Sequence, residues 1–123
     1  MAALRCIQLN CHKSKVATAN LRNNILPDTD IAFIQEPQTY NNQLVGLANY
    51  QTLHGASQDC RPRAAIATKH QSNIWFEQQF SDKDTAVAVL QNGDDKIYIV
   101  SVYMDILRPV SYTHLTLPTT PYV

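Results

Sequence analysis

The chain is poor in glycine (3 of 123 residues), poor in cysteine (3), and carries no net charge. Each shortage excludes something. Three cysteines cannot all pair and are too few for a disulfide-stapled scaffold, so a reducing intracellular setting, the nucleus included, is the expectation. Ten basic and ten acidic residues cancel, which removes a dominant basic surface as an argument for nucleic-acid binding. Charged residues make up 16 % against 45 % apolar. That balance argues against wholesale disorder and supplies one core, without room for two. No apolar run approaches the roughly 18 residues that span a bilayer, so no membrane partner is expected. The opening Met1-Ala-Ala-Leu-Arg-Cys6 lacks the layout of a signal peptide. Cys6, Cys11, His12 and the distant Cys60 lack the spacing of a zinc knuckle, and buried inert thiols are the expected reading.

What is present reads as an alternation of strands with a single helix. Residues 4–9, Leu-Arg-Cys-Ile-Gln-Leu, form a strand that stops at Asn10. Lys13 to Leu26 reads as a helix, with Ala17, Leu21 and Ile25 in one stripe and Val16 beside them, Ser14 as its cap, and Pro27-Asp28 as its stop. Asp30 to Gln35 is a second strand, whose consecutive apolar residues imply cover on both faces. It ends at Glu36-Pro37. A loop of weak helical character spans Asn41 to Ala48, and strands follow at Tyr50–His54 and Arg63–Thr68. Thr85–Gln91 and Lys96–Met104 are the clearest pair, joined by Asn92-Gly93-Asp94-Asp95 as a hairpin turn. The order points to an α/β or α+β sandwich. Residues 107–123 contain no acid and three of the six prolines. They resemble translated adapter sequence, so the expected domain is 1–106, with 107–123 a foreign or disordered tail.

Three polar residues stand where apolar runs stop: Asn10, Glu36 and Tyr103. Ligands of α/β proteins gather at the carboxyl ends of strands. Glu36 is one of only two glutamates, and it terminates a buried strand, where a carboxylate needs a partner, a proton or a cation. Magnesium suits such a place, because it takes one or two carboxylates, keeps its waters and completes its shell with phosphate oxygens. Each residue also has a plainer reading. Glu36 fits a solvated strand-end charge, Asn10 a turn or cap before the helix, and Tyr103 strand packing. Every charge before Asp28 is positive (Arg5, Lys13, Lys15, Arg22), a hint toward a phosphate partner. Lys13 and Lys15, near the helix start, are candidate backbone contacts that read equally as a wet helix face. His12, His54 and His70 read as solvated.

The exact words around these residues carry more. Ile7-Gln-Leu-Asn10, Phe33-Ile-Gln-Glu36-Pro37, Arg63-Ala-Ala-Ile-Ala-Thr68 and Val100-Ser-Val-Tyr103 occur in order. Together they resemble the N-terminal half of the endonuclease/exonuclease/phosphatase superfamily, the DNase I-like fold. Asn10-Cys-His-Lys-Ser-Lys15 and Arg61-Pro-Arg-Ala-Ala-Ile66 resemble in particular the endonuclease domains of non-LTR retrotransposons. The resemblance covers residues 3–105 and implies part of a four-layer sandwich with mostly mixed or antiparallel sheets and one N-terminal helix. It also implies a Mg²⁺- or Mn²⁺-dependent phosphodiesterase acting on DNA, with Glu36 on the metal, Asn10 organising the site and Tyr103 on the scissile phosphate. Gln35, on the opposite face of its strand, receives no such role. A phosphatase of the same superfamily, or an inactive remnant or binding fragment, are the alternatives. The resemblance further requires an Asp-x-Asn pair, another acid and a late Ser-Asp-His segment, none of which the chain contains. Asp105-Ile-Leu does not supply the pair, and Thr113 stands where Ser111-Tyr-Thr-His114 would need an aspartate, so His114 is not read as a catalytic base.

Overall fold

The computed structural model describes residues 4–55, 60–69 and 73–104. Expectations for residues 107–123, and for His70, Asp105 and His114, lie outside the described residues. A four-stranded sheet runs in the order β1-β2-β6-β5: β1 is Cys6–Asn10, β2 Ile31–Gln35, β5 Gln51–Leu53 and β6 Ala64–Thr68. β1 and β2 are parallel, whereas β6 runs antiparallel to both β2 and β5. A second sheet holds β7 (Ile74–Phe76), β8 (Thr85–Asn92) and β9 (Asp95–Val102), antiparallel throughout. The architecture is α+β, with one main helix and mostly antiparallel pairing. No helix of the described residues is long and apolar enough to cross a membrane.

Alternation along β2 builds two cores. Ala32 and Ile34 face the helical layer with Ala65, Ala67, Leu21 and Leu26, whereas Ile31 packs with Ile66, Ala86, Ala88 and Leu90 between the sheets. The alanines of β6 and β8 let the layers approach closely from both sides. The described residues thus supply three of the four expected layers. Gln35 is 7 % exposed and points between the sheets. Its Nε2 donates to Ser101 Oγ at 3.1 Å, and Ser101 Oγ donates to the Ile34 carbonyl at 3.1 Å. This polar link pins β2 against β9 without leaving an unpaired buried group.

The helix departs from the expected Lys13–Leu26 span. Ser14 does cap it, accepting from the Ala17 N–H at 3.1 Å, but the α-helical part is only α1, Lys15–Asn20. A π-turn over Leu21–Ile25 follows, closed by the Leu26 N–H on the Leu21 carbonyl, and then a 3₁₀ turn over Leu26–Asp28. The wider turn lets Leu21 and Leu26, five residues apart, both point into the core at 0 % and 1 % exposure. Pro27 therefore sits inside the last turn rather than ending the helix. Val16 belongs to no stripe and is 79 % exposed.

Three further corrections concern local structure. The loop after Pro37 is not helical: Thr39–Tyr40 (β3) pairs with Gln43–Leu44 (β4) around Asn41-Asn42, both left-handed at φ 52° and 62°. Two asparagines at positive φ form the kind of tight hairpin that propensity for helix hides. Gly46, at φ 88°, follows it; a Cβ there would lie 2.8 Å from Thr18 Cγ2. β7 carries no strand signal strong enough in sequence, being three residues long. Cysteine burial is also mixed, because only Cys11 is buried whereas Cys6 and Cys60 are exposed. Burial holds the Cys11 thiol above its usual pKa.

Leu21→Ala is expected to cost about 3 kcal/mol in urea unfolding, through lost burial and the cavity left behind. Val16→Ala should change stability by no more than about 0.5 kcal/mol.

Candidate active site

Because β1 and β2 run parallel, their C-terminal ends leave the sheet side by side. Two loops emerge there and lock together. The Cys11 N–H donates to the Gln35 carbonyl and the Lys13 N–H to the Glu36 carbonyl, both at 2.8 Å. His12, Lys13 and Glu36 are all held in the left-handed region, at φ 51°, 59° and 49°. Each such residue costs of order 1 kcal/mol or more and persists only where its surroundings over-determine it.

Asn10 ends β1 with its side chain turned back, its Oδ1 accepting the His12 N–H at 2.8 Å. That is the turn-forming role open to asparagine, and it fixes the position of His12. Glu36 lies one residue past β2, its N–H donating to the Arg63 carbonyl at 2.9 Å. Its side chain is 19 % exposed, more enclosed than a solvated strand-end charge, and Oε2 lies 3.6 Å from His12 Nδ1. The His12 side chain is itself 75 % exposed, as expected of a solvated loop histidine. Lys13 and Lys15 are exposed at the mouth of the same loop.

Tyr103 follows β9 on the other sheet. Two residues that sequence reasoning gave no role connect it to Glu36. Arg63, which precedes β6, makes a bidentate pair with Asp84, Nε to Oδ1 at 2.6 Å and Nη2 to Oδ2 at 2.8 Å. The same guanidinium stands 4.7 Å from the centroid of the Tyr103 ring, within cation–π range. The Tyr103 N–H donates to the Asp84 carbonyl at 2.8 Å. Arg63 thus meets Glu36 through its carbonyl and Tyr103 through its guanidinium, and Asp84 holds both partners. The contacts run without a break from Asn10 through His12, Glu36 and Arg63 to Tyr103. A charged residue flush against the fully buried run Ala64–Thr68 was the available signal for Arg63. Nothing local marks Asp84 as its partner, because 21 residues separate them.

Asp84 is held below the ordinary carboxylate range by hydrogen bonds from Arg63 against the opposing effect of burial, with Lys83 assisting. Asp30 is lowered too, chiefly by hydrogen bonds from the Arg5 backbone and side chain.

The donor chemistry can be tested against a divalent ion. Among the described residues no group of three or more His, Cys, Asp or Glu side chains is placed to hold a metal ion. The enclosed Glu36 carboxylate alone would suit only an ion that keeps most of its waters and shares substrate oxygens.

Two packed sheets with a helical layer over one of them, and polar residues at adjoining strand ends, define a DNase I-like fold. Among the solved structures to which the chain is similar is the endonuclease domain of TRAS1, a telomere-specific non-LTR retrotransposon, with a TM-score of 0.69 and 24 % identity. The match covers 90 % of this chain and 49 % of that one, so the chain spans about half the length of its structural neighbour. No family model and no curated protein matches the chain.

The Asp84 shift has a testable sign. A carboxylate whose folded pKa is depressed contributes stability above its unfolded pKa, and that contribution is lost as pH falls through the folded value. Chemical unfolding should therefore show stability dropping below about pH 4. Asp84→Asn should lower stability at neutral pH by roughly 2 kcal/mol and flatten that acid drop to the part Asp30 retains.

Proposed function

We propose that this chain is part of a divalent-metal-dependent phosphodiesterase, a DNA-nicking endonuclease of a non-LTR retrotransposon. The observation that carries this reading is the Arg63–Asp84 pair, which ties Glu36 on one sheet to Tyr103 on the other in a fold shared with such an endonuclease domain. Glu36 holds the ion, Mg²⁺ or Mn²⁺. The ion, when bound, offsets negative charge that builds on phosphoryl and leaving oxygens as water attacks phosphorus. The Tyr103 phenol donates to a phosphate oxygen, its ring kept in place by the Arg63 guanidinium. Asn10 keeps the loop that carries His12 close to Glu36. Lys13 and Lys15 meet backbone phosphates beside the site.

The reading also assigns a place for the rest of the catalytic apparatus. Among the described residues β1 pairs only with β2 and β9 only with β8, so both stand at sheet edges. β9 exposes Ile97, Tyr98, Val100 and Val102. A cleft of about 330 Å³ opens between the sheets at Gln8, Phe33, Gln35, Val100, Ser101 and Val102. In this reading a further segment of polypeptide, carrying the catalytic base, covers that side. Uncovered apolar edge strands invite association.

On supercoiled plasmid with Mg²⁺, the chain by itself should nick little or not at all. Continued by the remaining half of its domain it should produce open circles, and Glu36→Ala should slow that by about 100-fold or more. Release of phosphate from a nucleotide or lipid headgroup without plasmid nicking would replace the endonuclease reading with a phosphatase. Alone, the chain should self-associate or melt broadly; a sharp two-state melt of a monomer would count against the need for a second half.

A further inference from the structure

Four aromatic side chains are exposed among the described residues: Tyr40, Trp75, Phe80 and Tyr98. Trp75 and Tyr98 both pair with Val89, on the outer face of the second sheet, away from the side where Ala88 and Leu90 meet the core. Tyr40 and Phe80 lie elsewhere, at 71 % and 57 % exposure, on two segments that leave the sandwich at the end of the candidate site. The β3–β4 hairpin that carries Tyr40 begins three residues past Glu36. β7 runs antiparallel to β8, so the segment joining them, with Phe80, emerges beside Asp84 and Tyr103. Arg63 ties the two together, its carbonyl taking the Glu36 N–H and its own N–H donating to the Lys83 carbonyl.

Neither aromatic sits on a loose loop. The hairpin turns on Asn41 and Asn42 at positive φ, its Leu44 packs against the core, and Arg22 Nη1 donates to the Gly46 carbonyl at 2.9 Å. Phe80 ends a 3₁₀ turn clamped by Ser81, whose Oγ donates to the Glu77 carbonyl at 2.7 Å and accepts the Val87 N–H at 3.0 Å. Ordering a segment costs conformational entropy, and a ring left in water gains nothing from burial. A ring held rigidly in the open is instead what stacking on a base needs, because little freedom remains to be lost on contact.

We propose that Tyr40 and Phe80, one presented from each sheet, are stacking platforms for unpaired bases beside the phosphodiester, so that the site takes locally opened DNA in preference to a fully paired duplex. The inference rests on the functional reading above for the class of substrate, and adds the state in which that substrate is held. A base inside a duplex is already stacked on both faces and offers a side chain only its edge. A base freed by a bulge has an open π face, and unstacking it costs least. Stacking on an aromatic ring is tolerant of sequence, whereas attraction of Lys13 and Lys15 to the backbone is screened by salt. The rings therefore add a part of the affinity that salt leaves in place.

The test uses the whole chain, without metal and without turnover. Fluorescence anisotropy follows its binding to a fully paired DNA duplex and to one with a central bulge, across a range of KCl concentrations. The bulged duplex should bind about tenfold tighter or more. On its addition to isotope-labelled protein, the ring protons of Tyr40 and Phe80 should move upfield, as they do under a stacked base. Tyr40→Ala and Phe80→Ala should each weaken binding of the bulged duplex about tenfold, leave the paired duplex within about twofold and keep the salt slope. Tyr40→Phe should bind as the parent does. Lys13→Ala combined with Lys15→Ala should instead weaken both duplexes alike and lower the salt slope. An unchanged urea midpoint shows that each variant is folded. If the parent binds both duplexes equally, or the alanine variants keep the preference for the bulge, the stacking assignment is overturned, while salt-dependent DNA binding leaves the endonuclease reading standing. If neither duplex is bound at low salt, both fall.

Discussion

The charged pair between Arg63 and Asp84 is the contact on which the geometry of this molecule's polar end depends. It crosses from the entrance of β6 to the entrance of β8, and so from one sheet to the other. Each member is engaged at more than one atom. Arg63 takes the Glu36 N–H on its carbonyl, and its guanidinium is shared between the Asp84 carboxylate and the Tyr103 ring. Asp84 holds the guanidinium with both oxygens and the Tyr103 backbone with its carbonyl. A bidentate pair fixes orientation as well as distance. With side-chain exposures of 22 % and 14 %, it is screened far less than a surface ion pair, and removal of either partner leaves a charge partly stranded.

Around this bridge the two sheets are kept at a short separation by small side chains. Ala64 on β6, on the face opposite Ala65 and Ala67, and Ala86 and Ala88 on β8 are each 0 % exposed. The Gln35–Ser101 hydrogen bond adds a directional lock where apolar packing alone would permit sliding. Register between the sheets therefore comes from two polar contacts, one at the strand ends and one inside, rather than from bulk.

The loops after β1 and β2 show how this rigidity reaches the site. Three residues held in left-handed backbone would relax in isolation. They persist because β1 and β2 are parallel neighbours, which brings the two loops within hydrogen-bonding distance of each other. The likeness to a telomere-specific retrotransposon endonuclease domain is a likeness of this scaffold.

Strands β1, β2, β6, β8 and β9 were legible because alternation and unbroken apolar runs are local signals, and the strand-end positions of Asn10, Glu36 and Tyr103 followed from where those runs stop. The Ser14 cap was equally local. The Asn41-Asn42 hairpin and the three-residue β7 were not legible, since each is shorter than the window over which periodicity can be recognised. The π-turn was hidden because its cause is the need to bury both Leu21 and Leu26, a demand set by the sheet beneath. The Arg63–Asp84 pair and the approach of His12 to Glu36 join residues 21 and 24 positions apart, and their partners are chosen by which strand ends the sheets place together. The order of residues determined the strands and their termini. Only the folded sandwich decided which polar groups meet there, because a contact between distant positions exists only after the layers have packed.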